Sequence, residues 1–135
     1  MAVAPGRYNI VFNTTNVGRM VAGEPDDMNP KPVMVGPGTA PLWVVGEIPG
    51  NLPGNLRVLA TKNTLVANIG GLLVGLLQDP PNAPDWNIIP TTIPGLFRIV
   101  RTGTNLAWTV PGGAVPVQIE LQPDVGGANQ AFSFV

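Results

Sequence analysis

The side chains that most often do chemistry are scarce in this chain of 135 residues. There is no His and no Cys. Imidazole general-base catalysis, thiol catalysis, zinc and haem ligation and disulfide scaffolds are excluded with them. The one serine, Ser133, stands two residues from the C-terminus. Of the eight acids, only Asp26 and Asp27 are adjacent, and no pair has a context that would raise a pKa for acid–base work. Gly70-Gly71 and Gly112-Gly113 lack the Gly-Lys-Ser/Thr of a phosphate loop. The composition therefore predicts a protein that is not an enzyme and that carries no cofactor and no metal.

One segment offers a different kind of chemistry. Ala22-Gly23-Glu24-Pro25-Asp26-Asp27-Met28-Asn29-Pro30-Lys31-Pro32 holds four charges and three prolines. Two readings stand. It is an ordinary solvated loop, or it is a loop stiffened for presentation. Pro25, Pro30 and Pro32 bias the residues before them to extended backbone. A loop already extended loses less entropy when it docks into a partner's groove.

The rest of the chain must hold that loop in place, and its pattern is threefold. Pro-Gly precedes an alternating strand at Pro5-Gly6-Arg7-Tyr8-Asn9-Ile10, Pro53-Gly54-Asn55-Leu56-Arg57-Val58 and Pro94-Gly95-Leu96-Phe97-Arg98-Ile99. Apolar residues two apart share one face of a strand, and Pro-Gly suits the turn that feeds it. A second apolar column follows, Val17, Leu65 and Leu106, with Arg19, Ala67 and Trp108 two residues on. Third runs lie at Val33-Met34-Val35, 74–77 and 117–121, and each repeat closes on an aromatic: Trp43, Trp86 and Phe132.

Twelve short strands with no helical period give an all-β protein. Three four-stranded repeats, at about 5–50, 51–91 and 92–135, predict one β-trefoil domain over 1–135, a six-stranded barrel closed by a hairpin cap. Gly and Pro, 17 and 16 residues, are then punctuation between strands and not a sign of disorder. The 44% hydrophobic content agrees, since it can offset the entropy of ordering. The expected core holds the symmetric aromatics Tyr8, Phe97, Trp43, Trp86 and Phe132. Trp108 has two readings, a core filler or a rim residue that stacks on a ligand.

The formal net charge is −1 and the seven cations are scattered, so nucleic acid is not an expected partner. The longest apolar stretch, 69–77, is nine residues with three glycines, too short for a membrane span of roughly 20 residues. The first residues show no charged leader before an apolar run, so a cytoplasmic protein without a signal peptide is expected. Low charge and apolar loops suit a protein partner, a second copy of the chain included.

Pro5-Gly6-Arg7-Tyr8-Asn9-Ile10, Pro32-Val33-Met34-Val35, Asn105-Leu106-Ala107-Trp108-Thr109-Val110 and Gln130-Ala131-Phe132-Ser133-Phe134 resemble small mushroom β-trefoils along the whole chain. That family includes serine-protease inhibitors of the cospin and cnispin type, the mycocypin inhibitors of cysteine proteases, and a fruiting-body lectin. The resemblance implies a reversible protease inhibitor, with a serine protease first among the targets. In cospin-like members the inhibitory residue lies between the second and third strands of the first repeat. The matching loop is Pro25, Asp26, Asp27, Met28, Asn29, Pro30 and Lys31, where Met28 suits an apolar specificity pocket. In cnispin-like members the inhibitory Lys precedes the last strand; the matching 122–130 has no Lys or Arg. The alternative implied by the resemblance is a lectin with a glycan partner, for which Trp108 and Trp86 are the candidate contacts.

Overall fold

The computed structural model describes residues 3–19, 30–37, 42–46, 56–61, 64–76, 86–113 and 115–135. Its strands are β1 (Gly6–Tyr8), β2 (Ile10–Phe12), β3 (Thr15–Gly18), β4 (Lys31–Pro32), β5 (Met34–Val35), β6 (Trp43–Gly46), β7 (Leu56–Thr61), β8 (Thr64–Ile69), β9 (Leu72–Leu76), β10 (Trp86–Pro90), β11 (Phe97–Arg101), β12 (Leu106–Thr109), β13 (Val117–Gln118), β14 (Glu120–Pro123) and β15 (Ser133–Phe134). Two short 3-10 turns, Pro111–Gly113 and Ala128–Gln130, are the only helical turns among the described residues.

Six strands close a barrel. β1 pairs β6, β6 pairs β7, β7 pairs β10 and β10 pairs β11, all antiparallel. Phe97 bridges Phe132 just before β15, and β15 returns to β2. β1 and β2 are one strand interrupted at Asn9, whose backbone N–H and carbonyl both pair with Val135 at 2.7 and 2.9 Å. Closure leaves no open sheet edge in the barrel.

The remaining strands make three hairpins, β3 with β5, β8 with β9 and β12 with β14. They meet in a ring of three backbone hydrogen bonds. Val33 N–H donates to the Leu73 carbonyl at 3.1 Å, Leu73 N–H to Ile119 at 3.0 Å, and Ile119 N–H to Val33 at 3.0 Å. All three residues are buried. This is the β-trefoil that the periodicity predicts.

Three of the five symmetric aromatics, Trp43, Trp86 and Phe132, form the centre of the core, whereas Tyr8 and Phe97 are half-buried and pack against it near the strand ends. Trp43, Trp86, Phe132 and Trp108 are all fully buried. The Trp108 ring touches the other three, with centroids 5.5 Å from Trp43, 5.7 Å from Trp86 and 5.9 Å from Phe132. Edge-on and tilted contacts at these separations suit aromatic quadrupoles.

Two columns read from the sequence are displaced. Trp43 lies opposite Tyr8, Trp86 opposite Arg57 and Phe132 opposite Phe97, so Arg57, not Leu56, is the counterpart of Tyr8. Leu59 accordingly joins Ile10 and Ile99 in the core. The run Leu56-Arg57-Val58-Leu59 carries apolar residues in both alternations, so pattern alone does not choose its register. Trp108 is the second case. Val17 faces Val35, Val66 faces Gly75 and Trp108 faces Leu121, each facing residue two past a member of the hydrogen-bonded ring. The counterparts of Trp108 are therefore Val17 and Val66, not Arg19 and Ala67. The cause is a longer turn: Thr102–Asn105 joins β11 to β12, whereas Asn13-Thr14 suffices between β2 and β3.

Candidate functional site

The proline-rich segment between β3 and β4 has two fixed stems. On the outgoing side, Val17 and Gly18 pair with Val35 and Met34. On the returning side, Lys31 and Pro32 pair with Gly75 and Val74 of β9, and Val33 next to them belongs to the hydrogen-bonded ring. Pro30 is exposed. Pro25, Asp26, Asp27, Met28 and Asn29 lie outside the described residues.

Lys31 is only 4% exposed and Arg19 is fully buried. Both cations thus belong to the stems of the loop. Lys31 is a strand residue, so it does not offer its ammonium to the pocket of a partner. Alternation explains this: β4 must bury one of its two side chains against β9, and Pro32 takes the half-exposed place.

Trp86 and Trp108 offer no ring face to a sugar, because both are fully buried. Trp86 donates its indole N–H to the Val66 carbonyl at 3.2 Å, as its counterpart Trp43 does to Val17 at 2.6 Å. Sugar recognition needs an exposed aromatic face, and here the three-ring contact of Trp108 consumes it.

The segment before the last strand is braced from within. Gln130 is buried, and its amide nitrogen donates to Thr109 Oγ1 at 3.0 Å and to the Pro123 carbonyl at 2.9 Å. Its amide oxygen accepts from Val125 N–H at 3.0 Å. Asp124 accepts from Arg98 at 3.0 Å and from Gly126 N–H at 3.2 Å. The tip is Val125, which is 79% exposed and is not basic.

A cleft of about 550 Å3 lies beside this segment. Gly126, Gly127 and Ala128 line it together with the β10–β11 turn, Asn13 and Arg98. Among the described residues, no aromatic lines it. Sequence reading missed the β10–β11 turn, because its Pro94-Gly95 was absorbed as the start of a repeat. The neighbouring Thr91-Thr92, two hydroxyls between prolines, was the signal on offer.

No curated protein sequence matches the chain. The sequence profile of the family described as peptidase inhibitor I66 matches residues 1–134. The chain belongs to the peptidase inhibitor I66 family. As a member of the I66 family it is a peptidase inhibitor, not an enzyme, and its partner is a protease. Solved structures agree on the fold. A proteinase inhibitor from Coprinopsis cinerea superposes with a TM-score of 0.82 at 24% identity, covering 99% of each chain. A designed threefold-symmetric protein, ThreeFoil, gives 0.74 at 13% identity, covering 96% of this chain and 97% of that one. The ricin B-like lectin of Macrolepiota procera, solved with lactose, gives 0.70 at 19%, covering 99% and 97%. The I66 chain thus shares its β-trefoil with proteins of several functions, and the family match separates inhibitor from lectin.

Proposed function

We propose that this I66 chain inhibits a serine protease reversibly, by occluding the active-site cleft with the segment between β3 and β4. The observation that carries this reading is the fixed pair of stems, Val17-Gly18 against Met34-Val35 on one side and Lys31-Pro32 against Val74-Gly75 on the other. Strand pairing at both ends lowers the entropy the segment loses when it enters a groove. Lys31 is buried, so of the candidate residues Pro25 to Lys31 the inserted one is among Pro25 to Pro30. Met28 at that position suits the apolar pocket of a chymotrypsin-like or elastase-like protease.

A panel of chymotrypsin, elastase, trypsin and papain tests it. Chymotrypsin or elastase should be inhibited competitively, and Met28→Gly should weaken that inhibition at least about tenfold. Unchanged potency in Met28→Gly, or inhibition of papain alone, would overturn the reading. The carbohydrate alternative has lost its two candidate contacts to the core.

A further inference from the structure

We propose that the β10–β11 turn is a second protease-facing loop, with Thr92–Ile93 the peptide bond presented to a serine protease whose specificity pocket takes a small side chain. The proposal rests on the inhibitory function of the family, and it names a site separate from the β3–β4 segment.

The turn is exposed and braced by its own hydrogen bonds. Thr92, Ile93, Pro94 and Gly95 are all exposed, and Ile93 is 59% so although it is a large aliphatic residue. Thr91 N–H donates to the Leu96 carbonyl at 2.9 Å and closes the base of the loop. Leu96 N–H donates to the Ile93 carbonyl at 3.2 Å around Pro94-Gly95, with Gly95 at φ +83°, the signature of a type II turn. Pro94 holds Ile93 to extended backbone. The Thr91 hydroxyl spans the proposed bond: it accepts from Ile93 N–H at 3.1 Å and donates to the Ile93 carbonyl at 3.1 Å.

That last bridge separates an inhibitor from a substrate. A serine protease would attack the Thr92 carbonyl, break the Thr92–Ile93 bond and form an acyl-enzyme. Its histidine would pass the serine proton to the departing Ile93 amine. In a floppy loop that amine diffuses away and water completes hydrolysis. Here the amine is held by the Thr91 hydroxyl and by the Pro94-Gly95 turn. It stays beside the acyl group at high effective concentration and attacks it again. The peptide bond is remade, the serine recovers its proton, and the net change is none. The cleft beside the turn, lined also by Gly126, Gly127 and Ala128, leaves space for the rim of the docked protease.

Thr92 at the primary position suits a shallow pocket of the elastase type. Pancreatic elastase and trypsin are therefore the two probes. Thr92→Lys should gain trypsin inhibition by about a hundredfold, since a basic side chain meets the buried carboxylate of that pocket. The intact inhibitor should be recoverable from the complex. Thr91→Val in the same background should convert the protein to a trypsin substrate, cut at the bond after position 92 and seen by mass spectrometry. Thr92 is exposed and Thr91 half-buried, and an unchanged Tm confirms folding of both variants. No trypsin inhibition by Thr92→Lys, or rapid complete cleavage with Thr91 intact, overturns the proposal. The two loops are separable: potency lost in Met28→Gly but kept in Thr92→Asp removes the β10–β11 site and leaves the β3–β4 reading standing. The reverse pattern supports the β10–β11 site and removes the other.

Discussion

Trp43 donates its indole N–H to the Val17 carbonyl at 2.6 Å, so the first repeat ties its last strand to its second across the buried centre. Among the described residues, nothing accepts a hydrogen bond from the Trp108 indole. Trp43→Phe and Trp108→Phe delete similar volumes with opposite polar consequences. Trp43→Phe should cost about 1–3 kcal/mol more, because it leaves the Val17 carbonyl without its donor. Urea denaturation of both variants checks this.

Gln130 is the buried polar hub of the 123–130 segment, where its amide makes three of the hydrogen bonds that hold the loop. Gln130→Leu keeps the volume but strands the Pro123 carbonyl and Val125 N–H and removes the donor to Thr109 Oγ1, which keeps its own bond to the Ala107 carbonyl. A loss on the order of 3 kcal/mol is expected, from the orphaned groups. Hydrogen exchange at Val125 should accelerate more than at Ile99, which sits in the barrel core.

Gly36 cannot accept a side chain. A Cβ there would stand 2.8 Å from the Pro116 Cβ, and both lie on backbone pinned by β5 and β13. Gly36→Ala should cost about 1–3 kcal/mol by overpacking. Gly103→Ala is the control, since its Cβ would meet nothing within 4 Å, although its φ of +80° strains the backbone. Both positions carry a positive φ, so a larger Tm loss in Gly36→Ala than in Gly103→Ala reports the clash.

Arg98 and Asp124 join the barrel to the last loop at 3.0 Å, with Asp124 largely buried. Asp124→Asn should lower stability by about 1 kcal/mol, allowing for the solvent that reaches Arg98. It should leave trypsin inhibition by the Thr92→Lys variant within about twofold, because the β10–β11 turn is braced by its own hydrogen bonds. A larger change would couple the two walls of the cleft.

The trefoil was legible because its signal is redundant. Three Pro-Gly starts and three closing aromatics agree with one another, and the barrel pairs Trp43, Trp86 and Phe132 in equivalent places. Register was less legible. Leu56 to Leu59 is apolar on both alternations, so only the strand register, Arg57 opposite Trp86 and Leu59 opposite Val45, chooses Leu59. Likewise, the four-residue turn 102–105 moves Trp108 two places, which preserves its face but changes its counterparts. The site was half legible. Proline content marked the β3–β4 segment, but the burial of Lys31 follows from pairing with β9, which lies some forty residues further along the chain. The bracing at Thr91 depends on a hydroxyl that bonds its own neighbours, and composition carries no trace of that.

The ring of Val33, Leu73 and Ile119 bears on how such a chain can be divided. Each third of the molecule donates one of these bonds and accepts another, and none can satisfy its own pair. A two-thirds fragment would bury one open N–H and one open carbonyl at its most protected point. One third alone could close the ring only as a homotrimer, so for this chain being a trimer of repeats and being a monomer are the same condition.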